Sequence, residues 1–389
     1  MLPPLKYFNV NWVDGMKLSS NHFVEQENAF IDHLRDVAGL NLTSYNYGLL
    51  GPSSGDSKSL SVKVEVDRTS LLRIYVSECR AITSSGARIE ITGANQFNQS
   101  KPANLVCEYN LSGIATGKVL HVVVSVNPFA KTAVGEPAVN ENPPRYPYTD
   151  YKYEINIIPA EDTNLVSNGP FHITIGKLKV NGNAVDIIEN YIPPCSRVVN
   201  HQELLDIYQD LSKALIRLET DSSVIIQKIY RKEQQNALAK SVLYLTENLT
   251  QFLSMNMHRF RWFVPEMPPV FMVEYFASFA RVIKNSIDLK SGTGKEELLT
   301  YIKDWIVEVN QGEFEAILDE MVNIEYNHMD INASIEKIEA FCVTLTTVIS
   351  KLSKLDYIGD KRKADVIVTS RGADVVDTPK KRSFLLDQP

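Results

Sequence analysis

Gly292-Thr293-Gly294-Lys295 is the stretch of this sequence that most invites a chemical reading, because a glycine-bounded turn ending in lysine is how a phosphate loop closes. The pattern fails on both sides. A phosphate loop needs a glycine where Leu289 stands and a Ser or Thr where Glu296 stands. A turn with Thr293 near the cap of a following helix is the expectation instead. The histidines, His22, His33, His121, His172, His201, His258 and His328, are scattered, and no HExxH, GxSxG or GxGxxG pattern is present. His22 and His33 lack the spacing of ligands on one helix face, so His22 is expected to be a hydrogen-bonded packing residue. The cysteines, Cys79, Cys107, Cys195 and Cys342, form no CxxC pair and have no neighbouring His to complete a zinc spacing. They read as buried thiols of a reducing compartment. The Asp and Glu residues suit solvated helix faces better than a paired-carboxylate site. The expectation is a protein that is not an enzyme, with no catalytic residue, cofactor or metal.

The elements that would position any site fall into two halves with different periods. The 389 residues suffice for two or three domains, and 44% hydrophobic residues can fill sizeable cores. A net charge of −7 without a basic domain argues against nucleic acid as a partner. The basic runs Lys361-Arg362-Lys363 and Lys380-Lys381-Arg382 read as parts of a solvated tail. No apolar run is long enough to span a bilayer, and MLPPLKYFNVNWVDG lacks the layout of a signal peptide, so a cytoplasmic location is expected. From Leu60 to Ile188 the pattern is of strands. Leu60–Val66 alternates apolar and polar residues, Leu71–Cys79 and Arg88–Thr92 flank a turn at Ser84-Ser85-Gly86, and VLHVVVSV over Val119–Val126 is apolar on both faces. Tyr151–Ile158, Phe171–Val180 and Ala184–Ile188 continue the series, with a hairpin turn at Asn181-Gly182. Many short strands with regular turns predict a β-sandwich. Gly135–Asp150, rich in Pro and Asn, reads as a long loop with a contact role.

At Tyr191-Ile192-Pro193-Pro194-Cys195 the pattern changes, and Pro193 and Pro194 are expected to form a stiff interdomain joint. Helices follow. Leu204, Tyr208, Leu211, Leu215 and Leu218 repeat at spacings of four and three, as do Leu238, Val242, Leu245, Leu249 and Phe252, and the series from Ile331 to Leu352. A mean near 3.5 residues keeps one seam facing a partner helix, within one chain or between chains. Further helices are expected over Phe271–Ile287, Glu296–Val309 and Phe314–Tyr326. Met255, Met257, Met267 and Met272 gather with Phe260, Trp262, Phe263 and Phe271, as a helix end packed on the bundle or as an adaptable partner surface. Near the N-terminus, Asp14-Gly15 makes a turn, and Ser19, Ser20 or Asn21 caps a helix whose spaced positions include Phe23, Glu27 and Phe30.

Within that opening stretch Trp12, Gly15, Met16, Leu18, His22, Phe23 and Gln26 resemble the signature of the TssK family, baseplate proteins of type VI secretion systems. Three more landmarks follow in the family's order: Tyr47-Gly48-Leu49, the hairpin Ile82–Ile91 with Gly86 in its turn (Ser84 and Ser85 replacing the family's Pro-Asp), and Tyr191-Ile192-Pro193-Pro194. The resemblance spans roughly residues 5–290. It implies an α+β multidomain chain: a β-sandwich shell over 1–190, like that of phage receptor-binding proteins, and a helical neck over 191–290. It further implies a non-enzymatic homotrimer, held through the neck seams, that links the wedge proteins TssF and TssG to the membrane complex, where the family's head docks onto TssL and TssM. Here residues 291–358 are helical and 359–389 form only a tail, so the head is expected to be reduced or replaced and the membrane-side partner is left open. The alternatives are a phage-like receptor-binding adhesin and, from another class, a β-sandwich hydrolase, which needs a cleft with convergent carboxylates.

Overall fold

The computed structural model describes residues 4–52, 58–92, 105–161, 171–305 and 311–359. The basic runs and the tail beyond 359 lie outside these residues. The chain is mixed α and β, and its described residues divide into two compact units, one covering those up to Gln202 together with His328–Asp330, the other covering those of Glu203–Asn327 and Ile331–Gly359.

The first unit holds helix α1 (Ser20–Gly39) and two antiparallel sheets. The hub of one sheet is β3 (Leu71–Ile82), which pairs with β1 (Gly48–Leu49), β2 (Leu60–Val66), β4 (Arg88–Ile91) and β5 (Leu105–Asn110). Its period-2 pattern sends Leu72, Ile74 and Val76 wholly into the core. The other sheet runs β7 (Tyr148–Pro159), β6 (Val119–Val134), β8 (His172–Asn181), β9 (Ala184–Ile187). Consecutive burial of Val122, Val123 and Val124 fits β6's interior place between β7 and β8. The turn before β9 uses Gly182 at φ 62°, a conformation that costs glycine little.

Two short or weakly patterned strands escaped the sequence. β1 has only two residues, and β5, LVCEYN, interleaves charge with small apolar groups. The expected loop over 135–150 is shorter than its composition suggested. β6 runs on to Val134, β7 begins at Tyr148, and an Ala138–Arg145 bridge pairs backbone between them. Backbone pairing across a hairpin outweighed the Pro and Asn content, because neither residue type lies at a paired ladder position of β6 or β7 in that stretch.

The second unit is helical: α2 (Gln202–Arg231, whose first residue falls in the first unit), α3 (Ala237–Trp262), α4 (Val270–Asp288), α5 (Lys295–Trp305), α6 (Gln311–Val322) and α7 (Ile331–Lys354). Asn236 caps α3, its side chain accepting from Ala239 N at 2.7 Å. Pro268 and Pro269 precede α4, where a missing N–H costs nothing. An aromatic core joins the helices: Phe252 stacks on Phe279 at 5.0 Å, Phe279 meets Phe341 edge-on, and Phe260 packs against Tyr275 and Phe276.

The helical seams lie mostly inside the chain. Leu204, Leu211, Leu215, Leu218, Leu238, Val242, Leu245 and Leu249 are buried within the single chain, and Tyr208 and Phe252 are half-buried. Tyr208 stacks on Phe260 and donates to Arg261 O at 3.1 Å. The eight buried side chains are thus covered by the chain's own helices, while Tyr208 and Phe252 keep part of their surface exposed. At the buried positions the 3.5-residue period is met by helices of the same chain, one of the two arrangements that the spacing allows.

Candidate interaction surface

No constellation of catalytic type assembles from the residues that the sequence flagged. Lys295 starts α5 and is held by carboxylates: its Nζ meets Asp288 Oδ1 at 2.6 Å and Glu315 Oε1 at 2.9 Å, while Lys284 bridges Asp288 and Asp319. Hydrogen bonds to Asp288 and Glu315 raise the Lys295 pKa, and those from Lys295 and Lys284 help lower that of Asp288. The glycine turn therefore feeds an interhelical ion network. Cys79, Cys195 and Cys342 are buried, and burial pushes the Cys79 thiol up to about 12, whereas Cys107 is half-exposed. Among the described residues no group of three or more His, Cys, Asp or Glu could hold a metal ion, and no helix is long and apolar enough to cross a membrane.

What the opening signature builds is a clasp. Gly15, at φ 80°, turns the chain so that Met16 N bonds Val13 O. Gln26, on α1, accepts from Val10 N at 3.0 Å and from Trp12 Nε1 at 3.3 Å, and its amide donates to Asn9 at 2.9 Å. Trp12 lies against His22 and Phe23. The His22 ring accepts from Ser19 N at 3.2 Å, closing the helix start. Asp32 completes the fastening by accepting from Lys6 N at 2.6 Å and Tyr7 N at 3.1 Å. The signature thus folds an extended arm back along α1. Met16 is half-buried and Leu18 is exposed.

A second clasp joins the other landmarks. Leu49 N donates to Pro194 O at 2.7 Å, Ser196 N donates to Leu49 O at 3.1 Å, and Asn200 Nδ2 reaches the same oxygen at 3.0 Å. Gly48 sits at φ 113°, and a Cβ there would collide with the Pro194 backbone. Pro193 and Pro194, the residues of the expected joint, are buried and lie within the first compact unit, which runs on to Gln202. Two prolines stiffen the chain wherever they lie, and here tertiary hydrogen bonds take them into a core. Beside this clasp, His328 Nε2 donates to Tyr47 O at 2.9 Å, Tyr191 donates to Met329 O at 3.1 Å, and Lys177 pairs with Asp330 at 2.6 Å. Burial lowers the pKa of His328 and of His201 to about 4, and raises that of Tyr191.

The face that α1 turns outward is apolar. Asn28, Ala29 and Asp32 are buried, and Arg35 lies over the Phe171 ring at 4.6 Å. On the opposite side Phe23, Phe30, Leu34 and Val37 make one helical stripe, with Phe30 57% and Leu34 67% exposed. Glu27, in the same stripe, pairs with Lys131. The helix is inverted relative to an ordinary surface helix, with polar groups inward and apolar groups outward. A second exposed set lies on the second unit: Met255, Trp262 and Phe263, with Met267 nearby, while Met257, Phe260 and Met272 are buried. The Met-aromatic segment is therefore split between core and surface. Contiguous exposed apolar residues of this kind mark interaction surfaces.

No protein-family model matches the sequence, and no curated protein matches it. Solved structures do. A crystal structure of TssK is 13% identical, with 88% of this chain and 69% of that one covered and a TM-score of 0.49. A chain of a TssK-TssF-TssG baseplate subcomplex of the type VI secretion system is 13% identical over 88% of this chain and 100% of its own, with a TM-score of 0.44. A chain of the baseplate complex of the type VI secretion system is 12% identical over 90% and 99%, with a TM-score of 0.48. The solved proteins to which this chain is similar are thus TssK and baseplate components of the type VI secretion system.

Proposed function

We propose that the chain is a structural, non-enzymatic component of a type VI secretion baseplate, a divergent counterpart of TssK. The observation that carries this reading is the convergence of the ordered landmarks on structural clasps. The Trp12–Gln26 signature fastens the arm to α1, and Tyr47-Gly48-Leu49 fastens to Pro194. Residues that recur in order and do only architectural work suit an adaptor, whose job is to present surfaces. In this reading the first unit is the sandwich shell, α2 to α4 form the neck bundle, and α5 to α7 stand in place of the family's head. The chain acts in the cytoplasm as a homotrimer, joins a wedge of TssF and TssG type to the membrane complex, and gains avidity from its linked copies. In this reading, trimer contacts use exposed residues such as Trp262 and Phe263, since most of the seam side chains are covered within the chain.

Affinity purification of the tagged full chain from its native cell, followed by mass spectrometry, tests the reading. Wedge and sheath proteins are the expected companions. Recovery of none of them, with binding to a surface glycan or receptor instead, would favour the adhesin.

A further inference from the structure

A cavity of about 180 Å³ opens beside α1, walled by Leu34, Arg35, Ala87, Arg88, Val126 and Tyr151. Its chemistry is uneven. The walls are mainly apolar, two guanidinium residues line it, and no carboxylate does among the described residues. Arg35 bonds Asp32 through Nη1 at 2.8 Å, its side chain is only 11% exposed, and its buried Nε–H meets no acceptor among the described residues. A buried donor left unmatched is costly, and a charged one more so. Arg88 gives its Nε to Glu90 at 2.7 Å and remains 57% exposed at the mouth. Leu34 belongs both to the cavity wall and to the outward stripe of α1, so the cavity is continuous with the apolar face.

We infer that this cavity receives an acidic side chain flanked by apolar residues, presented by a helix of a partner protein that lies along Phe30, Leu34 and Val37. The donors select the acid: beyond the pairs with Asp32 and Glu90, the buried Arg35 Nε–H is unmatched among the described residues, and a carboxylate is the side-chain group that a guanidinium in an apolar wall best accommodates. The stripe selects a helix, since its four- and three-residue steps are those into which a second helix packs. The volume, comparable to a cavity that holds one benzene ring, admits a single side chain. The inference deepens the baseplate reading by stating the chemistry of the docked segment.

Saturation-transfer NMR with 3-phenylpropionate and its neutral amide as probes tests it on the full chain. The carboxylate should bind in the millimolar range and the amide at least tenfold more weakly, with Arg88→Glu and, separately, Leu34→Ser each lowering carboxylate affinity at least fivefold. Both substitutions alter exposed side chains, and unchanged melting temperatures establish that the variants fold. Equal binding of acid and amide, no binding, or indifference to Arg88→Glu would overturn the inference. So would dissociation of an oligomer by Leu34→Ser, which would make a second copy the occupant. The two readings fail separately. Wedge proteins retained equally by the wild type and both variants would remove the cavity and keep the baseplate. Acid-selective binding without wedge partners would do the reverse.

Discussion

Gly48 shows how much a single residue decides. Its positive φ and the close approach of the Pro194 backbone leave no place for a Cβ. Gly48→Ala is expected to cost at least about 2 kcal/mol in urea unfolding, through strain and loss of the Leu49–Pro194 bond. Gly15→Ala, with open space around its Cβ, should cost only the positive-φ penalty, on the order of 1 kcal/mol. A similar cost for both would show that the second clasp is not formed. His201 and His328 contribute to the pH response. Each has a pKa of about 4 when folded and the ordinary value near 6.5 when unfolded. Between these values the unfolded chain binds more protons, so stability is full above pH 6.5 and falls on acidification toward 4. The loss should approach roughly 3 kcal/mol per histidine at the acid end. His328→Gln, which can still donate to Tyr47 O, should flatten that limb in thermal melts taken across the window. An unchanged slope would place the acid sensitivity elsewhere.

Among the elements, the helices were the most legible in the sequence, and their partners the least. The spacing of Leu238, Val242, Leu245 and Leu249 located α3 and its inward face, and all four side chains are buried. It did not say whose helices would meet that face. Leu245→Ala should therefore destabilise the chain by about 2–5 kcal/mol, as in any filled core, with no change in oligomeric state. Dissociation of an oligomer at unchanged subunit stability would restore the seam as a trimer contact. In α1 the legible part was Phe23, Glu27 and Phe30. Which side faces the protein was not legible, because the inward anchors Asp32 and Arg35 are polar and, besides pairing with each other, meet Lys6, Tyr7 and Phe171, which only folding brings near.

For the whole molecule, the decisive quantity is the number of chains in the particle. Light scattering at micromolar concentration should give a mass near three times 43.8 kDa. Trp262→Ser combined with Phe263→Ser should move it toward a monomer, since large exposed aromatics are the side chains whose burial most favours association. A stable wild-type monomer would sink the trimer, and an unaffected trimer would move its contacts off this patch.

The sequence by itself determined where the period changes from two to three and a half, the turns at Gly15 and Gly86, and the order of the landmarks. These are local properties: side-chain alternation and backbone freedom depend on near neighbours in the chain. Only the tertiary structure decided that Pro194 closes on Leu49, that most seam side chains are covered within the chain, and that α1 turns its apolar side outward. Those outcomes depend on which distant groups arrive to satisfy a hydrogen bond or cover an apolar face, and a linear pattern does not carry that information.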